Sequence, residues 1–195
     1  INEFNNLIDV FFLFHSFEHL PDPMETLKIM YKKLKKKGKG RIVIEVPHAN
    51  DFLINNLSIF SFIYFTLWSQ HLILHTRESL KTFLQTAGFR NITIEGVQRY
   101  NIANHFNWLR HDKPSGHKEI LSILESEDLK DAYSNALSRI DANDTLVAKN
   151  VFVKYLTISA VMEPVLTIFA LGNAKEYTCL NFVVDGLSPP IMILF

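Results

Sequence analysis

Residues 15–19 read His15-Ser16-Phe17-Glu18-His19, two imidazoles four positions apart with a carboxylate beside the second. On a helix that spacing puts both rings on one face. They then hold a zinc ion while the glutamate activates a water, the H-x-x-E-H arrangement of one class of zinc peptidase. That chemistry depends on the element that carries it. Val10-Phe11-Phe12-Leu13-Phe14, just upstream, is a short, wholly apolar, β-favouring run, and Pro21 and Pro23 follow His19 almost at once. Asp22, with Pro23 after it and Glu25 three positions on, has the chemistry of a helix start. The expectation is therefore a strand, a loop carrying the histidines, and a helix beginning at about residue 23. In an open α/β sheet such a loop lies outside the carboxyl ends of the strands, where ligands bind.

Other groups offer chemistry on weaker patterns. His71 and His75 are four apart, but they straddle the expected start of a helix capped by Thr76, and no third ligand stands at a recognisable spacing. No metal is assigned to them. His48 follows Pro47 in a turn at 48–51, where capping the next helix would account for it. Arg99, Tyr100, Asn104, His105 and Trp108 crowd together at 99–108. They read either as a substrate-contacting cluster or as a capped surface excursion anchored by Trp108.

The elements that position these groups follow from periodicity. Leu27, Met30, Tyr31 and Leu34 recur at helical spacing over 25–37, with lysines on the other face and in the last turn and Gly38 as the stop. Residues 41–46 read as a fully buried parallel strand ended by Pro47. Leu80, Phe83, Leu84 and Ala87 form the apolar stripe of a helix that Gly88 ends. Ile92 and Ile94 alternate in a strand at 91–98, Leu129 to Ile140 marks a long helix, and Thr145 opens the last strand.

Bulk properties narrow the classes. The chain of 195 residues is long enough for one domain with a core, and its 20 basic and 20 acidic residues balance, which gives no sign of a nucleic-acid partner. A single cysteine, Cys179, excludes a disulfide framework within the chain and fits a reducing, cytoplasmic setting. Residues 52–74 carry no formal charge, yet Asn55, Asn56, Ser58, Ser61 and Thr66 interrupt them too often for a membrane span. A lid over the mouth of a cleft is the expectation there, with Tyr64 and Trp68 touching substrate.

Asp9 opening an apolar strand, then HSFEHLPDP, a lysine-rich helix, Lys37-Gly38-Lys39-Gly40 and Arg41-Ile42-Val43-Ile44-Glu45-Val46-Pro47 arrive in a telling order and spacing. Together they resemble the second half of a class I S-adenosylmethionine-dependent methyltransferase, in the group that carries EHxxDP after its fourth strand. The likeness runs from Asp9 to Ala148. It implies an α/β, Rossmann-like methyltransferase sheet, mostly parallel with a final antiparallel strand. It also implies S-adenosylmethionine as cofactor and a small-molecule acceptor. His15, Ser16, Phe17 and Glu18 would then bind the cofactor beside its methionine part, with Glu18 and His19 shaping the floor. His71 and His19 become the candidate catalytic residues, His71 first as general base. His48 stands where the family favours asparagine, in a loop facing the cleft. Tyr64, Trp68, Arg99, Tyr100, Asn104 and His105 become the substrate-binding candidates. The ubiquinone-pathway O-methyltransferases have a glutamate where this chain has His15 and bind metal with that acidic pair and the histidine. The substitution leaves that set incomplete, and no metal is assigned.

The family binds its cofactor mainly through a glycine-rich turn after the first strand and an acid ending the second. No G-x-G-x-x-G occurs among the seven glycines here. The expected organisation is thus residues 1–148 as the C-terminal half of a methyltransferase domain, lacking the first three strands, with 149–195 an unassigned apolar tail or a spurious extension. The tail contains strand-like pieces at 166–169 and 180–184. The strand at 8–14 would normally be central. Leaving about three or four of its large side chains uncovered, at roughly 1.5–3 kcal/mol each, forfeits an amount comparable to a whole domain's stability of about 5–15 kcal/mol. A missing N-terminal half or a second chain is needed to cover that edge unless the tail does, and an uncovered edge predicts poor solubility. Three functions follow: methyl transfer, with this piece inactive alone; a zinc peptidase; or a non-catalytic methyltransferase-like module.

Overall fold

The computed structural model describes residues 7–35, 39–118, 120–150, 167–171, 179–182 and 191–194. The apolar run before the histidines forms strand β1, Val10–Phe14, which pairs in parallel with β2, Arg41–Pro47, placing Phe14 opposite Glu45. Between them lies helix α1, Pro23–Lys33. The Asp22 side chain caps it by accepting from the Glu25 N–H at 2.9 Å, with Pro23 at the first helical position. The helix stops about a turn before the expected residue 37. Leu34 leaves it in an extended conformation and buries its side chain, while the chain pairs with Ile8: Lys35 N–H donates to the Ile8 carbonyl at 2.8 Å. Burial of Leu34 outweighs another turn of exposed lysines. Gly38, expected as the stop, lies outside the described residues.

Helix α2 spans Phe60–Thr66 and α3 spans Arg77–Thr86. A capping box opens α3, in which Thr76 and Ser79 each accept from the other's backbone N–H. Gly88 ends it with φ of 108°, and a Cβ there would meet the Tyr31 ring at 2.9 Å. Strand β3 (Ile92–Val97), helix α4 (Ile102–His111), helix α5 (Glu127–Arg139) and strand β4 (Thr145–Asn150) follow. Strand β5, Thr167–Leu171, completes a sheet of order β3-β4-β2-β1-β5. Cys179–Phe182 (β6) and Ile191–Leu194 (β7) pair separately as an antiparallel ribbon.

The directions bear out the expected α/β sheet. Because β4 is antiparallel to both β2 and β3, strands β1, β2 and β3 all run one way, and β4 alone among these four opposes them. The strand-like pieces of the tail coincide in part with β5 and β6. Strand β5 lies antiparallel along the outer edge of β1, Phe12 opposite Phe169. The edge expected to need an outside partner is thus covered by the tail.

Burial alternates along β1 and through the first half of β2, where a buried strand was expected over 41–46. Phe11, Leu13, Ile42, Ile44 and Val46 are buried, whereas Val10, Phe12, Phe14 and Val43 are half-buried. The cause is that α1 and α3 lie on one face, where Leu27, Met30, Leu34, Leu80 and Leu84 complete the core. The uncharged stretch after residue 52 is broken into a single π-helical turn, Phe52–Asn56, and the short α2. No helix among the described residues is long and apolar enough to cross a membrane.

Ile44 sits at the middle of the central strand with no exposure. Replacing it by alanine should cost about 2–5 kcal/mol, enough to threaten a domain of about 5–15 kcal/mol. Urea denaturation checks this, and a loss below about 1 kcal/mol would mean that the packing around β2 is looser than described.

Candidate functional site

A cleft of about 670 Å³ opens at the carboxyl ends of β1 and β2. Because β4 runs the other way, its amino-terminal residues, Asp144 and Thr145, reach the same edge. His15 ends β1 in a left-handed conformation, φ 45°, its N–H donating to the Glu45 carbonyl at 2.9 Å. Only Phe17–His19 then turns, as one 3-10 turn. The histidines therefore stand on a strand-to-helix loop, as expected, and the continuous helix that the peptidase arrangement requires is not formed.

Strand pairing brings His15 to Glu45. Its Nε2 lies 3.0 Å from a Glu45 carboxylate oxygen, and the Arg99 guanidinium packs against both, 3.3 Å from that carboxylate. Burial works to lower the His15 pKa, but the carboxylates of Glu18 and Glu45 outweigh it and raise the pKa above its ordinary value. Burial likewise opposes ionisation of Glu45, yet His15 and Arg99 hold its pKa below the usual range. These three groups form a charged, mutually compensated corner.

Glu18, by contrast, is fully buried, and neither carboxylate oxygen accepts a hydrogen bond. The nearest imidazole nitrogens are His15 Nδ1 at 3.6 Å and His19 Nε2 at 3.9 Å. His19 Nδ1 lies 2.7 Å from the Gln70 carbonyl and His71 Nδ1 lies 2.6 Å from the Thr66 carbonyl. A carbonyl only accepts, so in both rings Nδ1 carries a proton, and whenever the ring is neutral Nε2 is the atom with the lone pair. Burial lowers the His71 pKa, which keeps the ring neutral.

Of the expected cofactor residues, His15 and Glu18 border the cleft, whereas Ser16 and Phe17 are buried beneath it, Phe17 stacked on His75 at 5.1 Å. Both expected catalytic histidines, His19 and His71, line it. Of the substrate set, Tyr64, Trp68, Arg99 and Tyr100 line it; Asn104 and His105 do not. The Asn104 side chain accepts from the N–H groups of Ser115 and Gly116, tying down the loop after α4. His105 pairs with the Tyr133 hydroxyl at 2.6 Å, and burial pushes its pKa down to about 4. Both look polar in sequence and are structural because α4 turns them inward. His75 is fully buried, its pKa lowered to about 4 by burial, and it does not join His71 in a ligand set. His48 does line the cleft, while Asp51 does the capping, accepting from Leu53 N–H at 2.6 Å and Ile54 N–H at 3.3 Å.

Sequence reasoning missed Glu45, Asp51 and Asp144. A lone carboxylate in the apolar run around Glu45 was an available signal; the two aspartates had none. Asp144 is buried and accepts from Gln98 Nε2 at 2.9 Å and from the N–H groups of Arg99 and Tyr100, fixing the chain that carries Arg99 into the cleft. Burial nonetheless raises its pKa. Burial, and then the charge of Asp144, raise the Asp51 pKa from 3.8 to about 7.

The sheet order, with a cleft at its carboxyl edge, defines a Rossmann-like α/β fold. Residues 2–94 match the model of a family described as a methyltransferase domain, which bears out the resemblance over that stretch. No curated protein matches the chain. Among solved structures, a SAM-dependent methyltransferase from Archaeoglobus fulgidus is 22% identical, with 75% of this chain and 60% of that one covered and a TM-score of 0.45. A SAM-dependent methyltransferase from Thermotoga maritima is 14% identical, covering 76% and 58%, with a TM-score of 0.46. Phosphoethanolamine N-methyltransferase 2 of Haemonchus contortus, solved with S-adenosyl-L-methionine, is 18% identical, covering 74% and 33%, at 0.37. The chain spans about three fifths of the length of the first two.

The raised Asp51 pKa has a consequence for stability. The folded state binds that proton more tightly than the unfolded state, so the contribution is complete below pH 3.8 and is lost as pH rises through about 7. Asp144 and Tyr133 are the titratable groups facing it, and Asp144 shifts in the same direction. Asp51→Asn keeps a capping side chain but cannot titrate, so melting temperature should fall less steeply with pH across this window than in the wild type. Parallel slopes in thermal melts would show that Asp51 is not the group responsible.

Proposed function

We propose that this chain serves S-adenosylmethionine-dependent methyl transfer to a small-molecule acceptor, with residues 1–148 acting as the C-terminal half of the catalytic domain. The observation that carries this reading is the cleft formed by the 15–19 loop, within the segment that matches a methyltransferase domain. One residue suits a cation-bearing cofactor: the Glu18 carboxyl borders the cleft, buried and without a hydrogen bond, where the sulfonium end of the cofactor is expected. When bound, S-adenosylmethionine supplies the methyl group. The chain's own work is positioning and proton removal.

His71 is the base in this reading. Its Nδ1–H is committed to the Thr66 carbonyl, so the neutral ring presents Nε2 to take an acceptor proton, with His19 beside it at a ring separation of 4.8 Å. Tyr64 and Trp68, 78% and 47% exposed, offer the apolar body of an acceptor a surface at the mouth of the cleft. Phe62 and Phe65 brace that wall against Trp108. The glycine-rich turn that the family uses for the rest of the cofactor would be supplied by an N-terminal half or a second chain, which would have to take the edge of β1 that β5 covers here. Residues 149–195 are assigned no role in the chemistry, and a reducing compartment such as the cytoplasm suits the single Cys179.

Calorimetric titration of the folded chain with S-adenosylhomocysteine should show saturable binding, in roughly the micromolar range if the missing turn is replaced. A folded sample that gives no saturable heat would remove the cofactor site from this chain and leave a non-catalytic module. In an active assembly, His71→Ala should lower the rate of methyl transfer by about 10²–10⁴ while S-adenosylhomocysteine affinity stays within about twofold. An unchanged rate would exclude His71 as the base.

A further inference from the structure

We propose that Glu18, His19 and His71 form a binding site for a divalent transition-metal ion of the zinc type, open to the cleft. One ligand atom from each residue lies within 4.8 Å of the others, and Glu18 and His19 approach to 3.9 Å between Oε1 and Nε2. Bonds of about 2.0–2.2 Å place two ligands of one ion about 3–4 Å apart, so small side-chain rotations close the set.

Three independent features point to a cation. First, the Glu18 carboxylate is fully buried with both oxygens unbonded, a costly arrangement that a cation relieves. His15 relieves it only in part, as an ion pair with Nδ1 3.6 Å away and no hydrogen bond, because its Nε2 faces Glu45. Second, the backbone carbonyls of Gln70 and Thr66 hold the Nδ1–H groups of His19 and His71, so that Nε2 is the atom each ring offers for coordination once neutral. A metal-ligating histidine is held in this way in most sites. Third, the two segments are clamped together on either side of His71. The N–H groups of Leu72 and Ile73 donate to the Glu18 carbonyl at 2.9 and 3.4 Å, and His19 reaches Gln70.

Two imidazoles and one carboxylate are the protein ligands of an open zinc site, which keeps a position for water or substrate. Trp68 and Thr66 line the cleft together with these three residues. The ion would hold an acceptor oxygen there, and His71 would then act on the acceptor through the ion rather than as a free base. The site differs from the H-x-x-E-H arrangement because His15 is turned to Glu45 and the third ligand comes from the segment after α2.

The test is calorimetric titration of the chelator-stripped full chain with Zn²⁺, with Co²⁺ absorption as a second readout of imidazole and carboxylate ligation. Stoichiometric binding is expected. His71→Ala and Glu18→Gln should each weaken it on the order of tenfold or more, and His111→Ala, on the exposed end of α4, should not. Far-UV circular dichroism verifies that each variant is folded; if Glu18→Gln is not, His71→Ala decides, since its half-buried ring leaves the core intact. Absence of stoichiometric binding by a folded sample, or binding that survives both substitutions, overturns the site. S-adenosylhomocysteine titration of the same samples separates this outcome from failure of the methyltransferase reading, because either ligand can bind without the other.

Discussion

Strand β2 must pair on both of its edges, in parallel with β1 and antiparallel with β4. That constraint decides where the chemistry falls. Parallel pairing puts the carboxyl ends of β1 and β2 together, which sets His15 against Glu45. Antiparallel pairing brings the beginning of β4 to the same edge, Pro47 opposite Thr145, which delivers Asp144. The far end of the pairing is held by a side chain, Asn150 Oδ1 accepting from the Ile42 N–H at 2.7 Å. A slip of one residue in either ladder would exchange the faces of the strand and carry Glu45 into the core formed by Ile42, Ile44 and Val46.

The cleft concentrates carboxylates that are costly to bury, and the structure meets that cost in different ways. Glu45 is matched by His15 and Arg99. Asp144 receives backbone and amide donors from Gln98, Arg99 and Tyr100, and Asp51 receives the first N–H groups of the following helical turn. Glu18 receives none on its carboxylate. Among these carboxylates Glu18 is thus the one whose burial the protein leaves without hydrogen bonds, and such a group calls for an explanation beyond packing.

Much of the fold was readable because its signals are local. Asp22-Pro23 with Glu25, Thr76 with its box, Gly88 and Pro47 each act within a few residues, and the elements they bound appear where expected. The cleft positions of His15, Glu18, His19 and His71 were readable from the family pattern. What escaped depends on tertiary contacts. Leu34 leaves α1 for a partner 26 residues away, Ile8. Asn104 and His105 are polar residues turned inward by α4, and the half-buried face of β1 depends on which helices cover the sheet. The proximity of His71 to Glu18 was invisible for the same reason, since 53 positions separate them and the N–H groups of Leu72 and Ile73, donating to the Glu18 carbonyl, join the two segments.

His19 shows why structural and functional readings of a buried histidine need not compete. Read structurally, its imidazole ties a loop to a backbone carbonyl, and it does so, Nδ1 to Gln70 at 2.7 Å. That same bond selects the tautomer. With a proton held on Nδ1, Nε2 is the atom left to face Glu18, and in His71 the Nδ1 proton is held likewise by Thr66. Holding the rings this way removes the rotational and tautomeric freedom that a ligand or a proton acceptor would otherwise have to restrict on binding. The loop anchor and the chemical group are therefore one device, in which the strength of the first fixes the direction of the second.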